Sequence, residues 1–562
     1  MQNADIIEIL ELTAKLLELH GENEFKVRGY SSAAFQLDKS PLNLTTVSVE
    51  DLIKTQGVGK SIALKIEEIR TTGQLSELNE VLSRTPEGVL EMFKVSGIGA
   101  KKIRQIWLDA GIDNLNDLQI ACENGQVAKI KGFGDKTQES ILKALQFLQS
   151  NAAKLRMNKA EALAQVLYDE LEKHFREVEV VGELRRKNEV VSSIQLLVAA
   201  ESPMAVQRVL NSLDFLQQDE KSSNPFVWRG KFVDKLIPVE VLVSSPQRFQ
   251  NEVFIYSSSP KHLAQKVTNG TLFQLANKQL FDSEEAIYEK AQVPFIVPEM
   301  REGTFEFDWA SKHTNDDLIT WEALKGILHN HSTYSDGKHS LADMARFCKE
   351  LGFEYLGIAD HSKSATYANG LNEYRVKQQH EEIDRLNAEL APFKILKGIE
   401  SDILADGSLD YADDVLASFD YIVASVHQNL KMDIQKATQR LLRAIENPYT
   451  TILGHPTGRL LLSREGYPLD YQKIIDACAD RGVVIEINAS PYRLDLDWRW
   501  IQYCLEKGVM LSINPDAHEK DGYFDMHYGV AVARKGGLTH NMTFNASSLA
   551  DMESYLQKKR NP

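Results

Sequence analysis

Ten of the fourteen histidines of this chain lie between positions 329 and 540, and most of them follow a short apolar run. The run Tyr421-Ile-Val-Ala-Ser-Val, for example, leads directly into His427. Six runs end in this way, and the residues that follow them are His329 and His331, Asp360 and His361, Glu400, His427, His455, and Asp516 and His518. Imidazole nitrogens and carboxylate oxygens together suit Mn²⁺, Zn²⁺ or Fe²⁺. The pattern therefore predicts a site that holds several divalent metal ions.

The elements around these residues are predicted to place them on one face of a barrel. From residue 325 onward the apolar runs alternate with helical stretches, which is typical of a parallel (β/α) barrel. The carboxyl ends of barrel strands converge on one face, where such barrels place their sites. A single histidine after a strand is more often a hydrogen-bonded structural residue. Six such strand ends favour a ligand site.

The first 150 residues carry three Gly-hydrophobic-Gly tripeptides, each between segments of helical periodicity. Two glycines let the backbone approach a ligand, and the next helix points its amino-terminal N–H groups at an anion. The turns resemble the helix-hairpin-helix motif, which holds DNA phosphates without reading the base sequence. The candidate DNA-binding residues are Gly57, Gly59, Lys60, Gly97, Gly99, Lys101, Lys102, Gly132 and Gly134. A plain helix connection is the alternative for any one turn, but three turns with lysines nearby favour DNA contact.

Residues 22–70 resemble the small amino-terminal domain of family X DNA polymerases. The resemblance rests on the segment Asn23-Glu-Phe-Lys-Val-Arg-Gly-Tyr-Ser-Ser-Ala-Ala34 and on the first Gly-Val-Gly turn. In some members this domain removes a deoxyribose phosphate through a lysine Schiff base, and the matching position is Lys65. Ser61 stands where a second lysine is often found, which weakens the case for lyase activity. An ordinary solvated helix lysine is the alternative interpretation of Lys65.

Two further segments, Val180-Val-Gly-Glu-Leu-Arg-Arg186 and Val293-Pro-Phe-Ile-Val-Pro-Glu-Met-Arg-Glu-Gly303, have counterparts in the same family. Through them, residues 155–310 resemble its palm and thumb, but the residues of the polymerase centre differ. Nucleotidyl transfer in this fold needs two metal ions held by three aspartates. Ser193, Gln195 and Glu240 stand at the three positions of the metal ligands. Glu183 stands where the family has a serine that contacts the triphosphate. The later Thr-Gly-Ser turn reads Ser257-Ser-Ser259. These departures predict a degenerate polymerase centre.

The carboxy-terminal region resembles the PHP (polymerase and histidinol phosphatase) domain over nearly all of residues 326–520. Each of the nine ligand positions of that domain has a counterpart in this chain. The resemblance implies one metal ion held by His329, His331, Glu400 and Asp516, a second held by Glu400, His427 and His455, and a third held by Asp336, His361 and His518. Three divalent ions are therefore expected, with Mn²⁺ ranked first and Zn²⁺ or Fe²⁺ as alternatives.

Two arginines near these strand ends could bind the phosphate of a substrate. Arg459 follows the strand that ends at His455, and Arg493 lies in the segment 488–496. A guanidinium can hold a phosphate through two parallel hydrogen bonds. The alternative is a salt bridge within the loops, which for Arg493 is equally consistent with the nearby Asp495 and Asp497.

Composition excludes several classes of protein. The net charge of −16, from 64 basic and 80 acidic residues, excludes a uniformly basic protein that coats DNA. No apolar run approaches the ~18–20 residues that a membrane span needs. The four cysteines Cys122, Cys348, Cys478 and Cys504 are scattered, so neither a disulfide framework nor a cysteine–zinc site is expected. We interpret the chain as cytoplasmic, without a membrane partner.

The expected fold is multidomain, with a helical helix-hairpin-helix region, an α+β palm and thumb like those of polymerase beta, and a distorted α/β PHP barrel. The expected boundaries are 1–80 for a helical 8-kDa-like domain, 81–152 for a fingers-like helix-hairpin-helix region, 153–245 for the palm, 246–310 for the thumb, 311–325 for a linker and 326–562 for the PHP domain.

These features predict a DNA-repair phosphoesterase of the PHP type, with metal-dependent 3′→5′ exonuclease activity and, as a further activity, cleavage at abasic sites. Gapped or nicked DNA and 3′ ends are the expected partners. A gap-filling polymerase with an editing PHP domain and a small-molecule phosphatase of the histidinol-phosphatase type are the alternatives. A DNA scaffold with a structural metal site is disfavoured because all nine ligand positions are retained. The sequence carries no signal for the oligomeric state.

Overall fold

The computed structural model describes residues 1–40, 42–268 and 270–560, and the chain divides into two compact units, Met1–Ala152 and Ala153–Pro562. The division coincides with the expected boundary between the fingers-like and palm-like regions. The expected domain boundaries remain predictions, because the boundary at 80/81 falls inside the first compact unit and the later boundaries fall inside the second.

The first unit is helical throughout its described residues. Apolar side chains recur at helical spacing, and Leu10, Leu17 and Ile66 are buried in its core. Side-chain caps begin several helices, as at Ser48, whose hydroxyl accepts a hydrogen bond from the backbone of Asp51. The α-helices are Asn3–His20, Glu24–Asp38, Val49–Lys54, Lys60–Thr72, Ser76–Ser83, Glu87–Met92, Ala100–Arg104, Leu115–Glu123 and Asp135–Asn151.

The second unit begins with a palm-like mixed sheet of five strands. Their spatial order is Val178–Val181, Ile194–Ala199, Pro238–Ser244, Val227–Phe232 and Leu216–Gln218. The second and third strands in this order are parallel, and Gln195 lies opposite Glu240 across the pair. The helices Met157–Glu172, Gly182–Arg185 and Pro203–Asn211 accompany the sheet, and a separate ribbon pairs Leu155–Arg156 with Val190–Val191.

A small helical region follows the palm-like sheet, as expected for a thumb. Phe254, Leu272 and Ile287 are buried in its own core. Its helices are Phe249–Tyr256, Pro260–Leu263, Leu272–Lys278, Glu284–Ala291 and Glu306–Ala310, and its short strands are Lys266–Val267 and Gly270–Thr271.

The carboxy-terminal region is a nearly closed barrel of seven parallel strands, so the expected barrel is confirmed. The strands, each hydrogen-bonded to the next, are Gly326–Ile327, Tyr355–Ile358, Lys394–Asp402, Tyr421–Ser425, Ile452–Leu453, Val484–Asn488 and Leu511–Asn514. The helices of this region are Leu341–Glu350, Glu373–Leu390, Asp413–Leu416, Ile434–Glu446, Tyr471–Arg481, Ile501–Glu506, Met526–Lys535 and Leu549–Arg560. Beyond the first and last strands, the backbone of His331 donates a hydrogen bond to Ala517 at 2.8 Å.

One hydrophobic core runs through both the palm-like sheet and the barrel. Trp228 and Val241 of the sheet belong to the same buried cluster as Ile358 and Ile485 of the barrel. Burial of apolar side chains in one continuous core couples the two regions mechanically. No helix among the described residues is long and apolar enough to cross a membrane.

Candidate metal centre

All nine predicted ligand side chains lie at the carboxyl end of the barrel strands. His427 and His455 follow their strands closely, whereas Glu400 lies near the end of the long strand Lys394–Asp402. His329, His455 and Asp516 hold a backbone with positive φ, at 60°, 20° and 54°. Such a backbone costs on the order of 1–3 kcal/mol for a residue other than glycine, and it is concentrated at functional sites.

Glu400 is the centre of the histidine cluster and is fully buried. Its Oε1 lies 3.2 Å from Nε2 of His329, 3.1 Å from Nε2 of His427 and 3.0 Å from Nε2 of His455. Its Oε2 lies 2.9 Å from Nδ1 of His361. One carboxylate thus faces four imidazoles, which is the arrangement that a bridging ligand between metal ions requires.

A second group of ligand atoms lies around Asp336 and Asp516. Asp336 Oδ1 lies 3.4 Å from Nε2 of His518 and 3.7 Å from Nε2 of His361. Asp516 Oδ1 lies 3.0 Å from Nε2 of His331, which also groups with the Asp336 cluster. The structure therefore brings together all nine residues, while the assignment of each one to a particular ion remains a prediction.

These distances fit ligands of shared divalent ions. Ligand atoms about 2.1 Å from one ion, at tetrahedral or octahedral angles, lie about 3.0–3.4 Å apart. Within the described part of the chain, Nε2 of His329 and Oε2 of Glu400 are buried, and neither atom makes a hydrogen bond of good geometry. Buried polar atoms normally have partners, so these lone pairs are consistent with metal ligation.

Two carboxylates outside the predicted set orient the histidines. Glu486 Oε2 lies 2.6 Å from Nδ1 of His329, and Asp402 Oδ1 lies 2.5 Å from Nδ1 of His427. Each leaves the opposite ring nitrogen directed at Glu400, as carboxylates behind metal-bound histidines do. Sequence reasoning missed both roles, although a charged Glu486 within the apolar strand Val484–Asn488 was a signal that could have revealed one of them.

The charges of the cluster shift several pKa values strongly. Burial by itself lowers the pKa of His427, but Glu400 and Asp402 outweigh that effect and raise it to about 10. Burial likewise opposes the proton on His518, while Asp336 and Asp516 raise its pKa to about 9. Burial disfavours ionised Glu400, yet the surrounding histidines hold its pKa well below the usual value. The carboxylates are therefore ionised and ready to bind cations.

Asp360 supports the loop after the first strand. Its Oδ1 accepts hydrogen bonds from the backbone N–H groups of Ser332 and Ser335, at 2.8 and 3.1 Å. Its Oδ2 accepts from Gln379 at 2.6 Å. Asp360 therefore holds the segment between His331 and Asp336 in place.

The two candidate arginines have different surroundings. Arg459 is largely buried, donates from Nε to the carbonyl of Arg493 at 2.9 Å, and pairs with Asp497 at 2.9 Å. Burial opposes its charge, but the nearby carboxylates hold its pKa above the usual value. Arg493 Nε lies 3.6 Å from Oδ2 of Asp516, one of the predicted ligands. Arg493 is thus the better placed of the two to contact a substrate phosphate.

At the palm-like centre, protein side chains bond to one another. Gln195 Nε2 donates to Oε2 of Glu240 at 2.6 Å, and Arg229 Nε donates to Oε1 of the same carboxylate at 2.7 Å. Gly182 has a φ of 72°, and a Cβ there would lie 2.0 Å from Gln195 Oε1. The carboxylate of Glu240 therefore already has two donors from the protein itself.

Two further departures, Glu183 and Ser193, lie beside this pair. Glu183 Oε2 accepts hydrogen bonds from the backbone and the hydroxyl of Ser192, at 2.6 and 2.7 Å. Ser193 lies between Ser192 and the strand Ile194–Ala199. At the turn itself, Arg185 pairs with Glu284 at 2.5 Å. The region thus has the strand framework of the expected palm, with charges paired internally.

The glycine turns of the first unit have the expected local geometry. Gly57, Gly97 and Gly132 have φ values of 81°, 90° and 86°, which favour glycine. The second glycine of each turn, in contrast, has a backbone conformation that other residue types can adopt, and a Cβ there would meet no atom within 4 Å. The helices that follow begin at Lys60, Ala100 and Asp135.

Lys65 lies in a cluster of polar groups around Glu77. Lys65 and Tyr30 both donate to Glu77, and Lys26 Nζ lies 2.5 Å from its Oε1. Burial by itself raises the pKa of Glu77, but these donors outweigh it and lower the pKa to about 2. A second lysine therefore accompanies Lys65, from the helix Glu24–Asp38.

Comparisons with known proteins match the helical region and most of the barrel region to known families. A helix-hairpin-helix domain matches residues 1–75, a SAM-like helix-hairpin-helix tandem matches 89–146, and a PHP domain matches 328–490. Probable phosphatases of Thermoanaerobacter sp. (strain X514) and Clostridium acetobutylicum are each 26% identical, over 42% and 34% of this chain and 97% and 78% of their own.

A further relative extends along nearly the whole chain. The DNA polymerase/3′-5′ exonuclease PolX of Bacillus subtilis is 34% identical over 578 residues, covering 99% of this chain and all of the relative. Together with the helix-hairpin-helix and PHP matches, this similarity shows that the chain belongs to the PolX-type family X DNA polymerases with a carboxy-terminal PHP domain.

Proposed function

We propose that this protein is a metal-dependent phosphoesterase that removes nucleotides from the 3′ ends of DNA, with cleavage at abasic sites as a further activity of the same centre. The complete set of nine converging ligands is the observation that carries this proposal. The PolX relative, whose name includes a 3′-5′ exonuclease, supports the choice of reaction. Because DNA is the substrate, a location in the cytoplasm is part of the proposal.

Three divalent ions would be held by the nine ligands, with Mn²⁺ as the first candidate and Zn²⁺ or Fe²⁺ as alternatives. When bound, the ions lower the pKa of coordinated water and neutralise charge on the phosphate oxygens. Glu400 would bridge ions, because it faces His329, His427 and His455 through one oxygen. Asp402 and Glu486 hold the proton-bearing side of two histidines, which keeps Nε2 available for ligation.

The protein's own cations would bind the substrate phosphate. Arg493 lies beside Asp516 and would contact a non-bridging phosphate oxygen. Arg459 would hold the loop that carries Arg493, since it bonds to the carbonyls of Arg493 and Leu494. The role of Arg459 is thus proposed to be support.

The helix-hairpin-helix turns would hold DNA through its backbone. Neither a positive φ nor crowding requires glycine at Gly59 or Gly99, where a Cβ would meet open space. A phosphate that approaches the backbone N–H groups would explain glycine there. Lys60, Lys101 and Lys102 would add charge beside the phosphates, for gapped or nicked duplexes or 3′ ends.

Polymerase activity is not part of the proposal, because Gln195 and Arg229 bond to Glu240 at the centre. Lyase activity of Lys65 stays a lesser proposal. Lys26 beside it supplies the neighbouring cation that such chemistry uses, but both lysines pair with Glu77.

A small-molecule phosphatase is the second candidate, because probable phosphatases are 26% identical to this chain over 42% and 34% of its length. Helix-hairpin-helix matches across the first unit favour DNA instead.

One gel experiment separates these functions. The purified protein is incubated with Mn²⁺ and a gapped duplex labelled at the 5′ end of the primer, with and without deoxynucleotides. We expect a ladder of shortened primers in both cases and no product from a variant with His329→Ala and His331→Ala. Primer extension would support the polymerase alternative, and an intact primer together with hydrolysis of phosphate monoesters would support the phosphatase.

A further inference from the structure

The loop formed by residues 490–497, named the Arg493 loop, is tied to the metal centre on its barrel side. Thr457, two residues after His455, donates from its backbone to Oδ2 of Asp495 at 2.9 Å. Leu461 donates to the carbonyl of Tyr492 at 2.7 Å. Arg493 itself lies 3.6 Å from Asp516 and is about four-fifths buried, with 18% of its side chain exposed. Small movements of this loop would therefore move a charge next to a metal ligand.

The palm-like region contacts the same loop through its small antiparallel ribbon. The ribbon pairs Leu155–Arg156 with Val190–Val191. Arg156 stacks on the ring of Tyr492, with 3.6 Å between the guanidinium carbon and the ring centroid. A cation over an aromatic face is attracted by the negative charge of the π electrons, which holds the two side chains together. The ring next to Arg493 is thus held by a residue of the palm-like region.

Glu189, directly before the second strand of the ribbon, makes the other contact. The side chain of Glu189 is 10% exposed. Its carboxylate accepts a hydrogen bond from Nη1 of Arg499 at 3.2 Å and forms an ion pair with Nη2 of Arg459 at 3.8 Å. Arg459 in turn donates to the carbonyls of Arg493 and Leu494 and pairs with Asp497. A chain of charged groups therefore runs from Glu189 to the backbone of Arg493.

A buried lysine fixes the neighbouring turn to the barrel. Lys535, of the helix Met526–Lys535, is 1% exposed. Its Nζ donates to the carbonyl of Arg186 at 2.9 Å and to Glu302 at 2.6 Å. Buried ion pairs contribute little net stability because desolvation offsets their attraction. Their directional contacts instead set the geometry between the palm-like turn and the barrel.

We propose that Glu189 is a positioning residue of the phosphoesterase, which acts through Arg459 to hold Arg493 at the phosphate of the substrate. Arg156 assists by holding the ring of Tyr492. The palm-like region is then a working part of the hydrolase, although its own centre is degenerate. This inference rests on the proposed function, because it assigns Arg493 to the substrate phosphate.

The test uses the full-length protein loaded with Mn²⁺ and the p-nitrophenyl ester of thymidine 5′-monophosphate, a diester too small to need the helix-hairpin-helix turns. Glu189→Gln should lower kcat/KM by about 10–100-fold, the range expected when a reacting group is misplaced by about 1 Å. The Mn²⁺ content should not change. Glu189→Asp, which keeps the charge, should recover part of the activity. The matched control is Glu161→Gln, since the carboxylate of Glu161 pairs with Lys187 at 2.8 Å in the same region of the fold.

A double-mutant cycle distinguishes positioning from general structural support. If Glu189 acts through Arg493, Glu189→Gln should cause no further loss in a chain that already carries Arg493→Ala. The proposal would be overturned if kcat/KM of the double variant fell by the product of the two single-variant factors. Wild-type activity in Glu189→Gln would also overturn it.

Should Glu189→Gln fail to fold or lose Mn²⁺, Arg156→Ala decides the question. It should lower kcat/KM in the wild type and have no effect beside Arg493→Ala, and an unchanged kcat/KM in the wild type would overturn the inference. An inactive wild-type protein would instead refute the proposed function.

Discussion

Each ring nitrogen of His427 faces a carboxylate. Nε2 lies 3.1 Å from Glu400, and Nδ1 lies 2.5 Å from Asp402. Burial lowers the pKa of His427, but the two carboxylates outweigh burial and raise this pKa to about 10. Burial also lowers the pKa of His518, but Asp336 and Asp516 raise it to about 9. Both imidazoles are therefore protonated at neutral pH until a metal ion displaces the proton.

Metal binding should accordingly release protons. A ligand histidine must be neutral, so ions compete with protons at His427 and His518 below about pH 9, and affinity for Mn²⁺ should rise as the pH is raised from 6 to 9. Calorimetric titration at pH 7.5 in two buffers of different ionisation enthalpy measures the protons released. Asp402→Asn should reduce that number, because it removes a charge that raises the pKa of His427. Equal heats in both buffers would contradict the prediction.

Removing the carboxylate behind His329 should weaken metal binding. Glu486→Gln keeps the shape of the side chain but removes the charge that orients and polarises the imidazole. We expect Mn²⁺ affinity to fall by about 10–100-fold. Asp420→Asn is the control, since Asp420 precedes the strand Tyr421–Ser425 and bonds to the backbone of Lys397 at 2.8 Å, away from the centre. Similar affinities for the two variants would argue against the role of Glu486.

At the scale of elements, the palm-like strands retain the pairing of a nucleotidyltransferase but not its charges. The strands Ile194–Ala199 and Pro238–Ser244 are parallel and in register, with Gln195 opposite Glu240. A strand alternates its side chains, so the position of Ser193 shares a face with Gln195. The framework can therefore survive the loss of every aspartate.

Restoring two aspartates should not restore polymerisation. In the variant with Ser193→Asp and Gln195→Asp, Glu183 still places a negative charge where a triphosphate would bind. Two like charges about 4 Å apart interact by ~4 kcal/mol at an effective dielectric near 20. Incorporation of one labelled nucleotide into a gapped primer should appear only after Glu183→Ser and Glu240→Asp are added.

That assay needs His329→Ala and His331→Ala in every chain, so that the primer is not degraded. Arg229, which pairs with Glu240 at 2.7 Å, is left unchanged. Robust incorporation by a chain with the native palm residues would refute the degenerate centre.

At the scale of the whole molecule, DNA binding and hydrolysis are assigned to different units. The glycine turns lie in Met1–Ala152, and the nine ligands lie in Ala153–Pro562. Substitutions in one unit should therefore leave the chemistry of the other intact.

Lys101→Ala with Lys102→Ala should weaken DNA binding and reduce its salt dependence. Each lost phosphate contact lowers the slope of log K against log salt by about one, so the slope should fall by about two. Hydrolysis of the small thymidine diester should not change. The control is Lys15→Ala with Lys143→Ala, an equal change in charge at two lysines that pair with Glu11 and Glu139 away from the turns. The same loss of slope in the control would mean that general charge, and not the turn, binds DNA.

Much of the site could be predicted from the sequence, because strand ends and ligand types are local properties. An apolar run followed by His427 or His455 identifies both an element and the residue at its end. In a parallel barrel those ends must converge, so the strand order predicts one cluster of side chains, whereas the full set of nine ligands depended on the resemblance to the PHP domain. The glycine turns could also be recognised in the sequence, because the positive φ at Gly57 and Gly97 is a local property of the backbone that favours glycine.

Contacts between distant segments were decided only by the tertiary structure. Glu486 is 157 residues from His329, and Glu189 is 310 residues from Arg499, so no spacing rule connects either pair. From the sequence, a loop salt bridge was the equally consistent alternative for Arg493 in particular, but in the structure Arg459 pairs with Asp497 and Arg493 lies beside Asp516. A side chain's type states which bonds it can make, whereas the packing of the whole chain determines which partner is within reach.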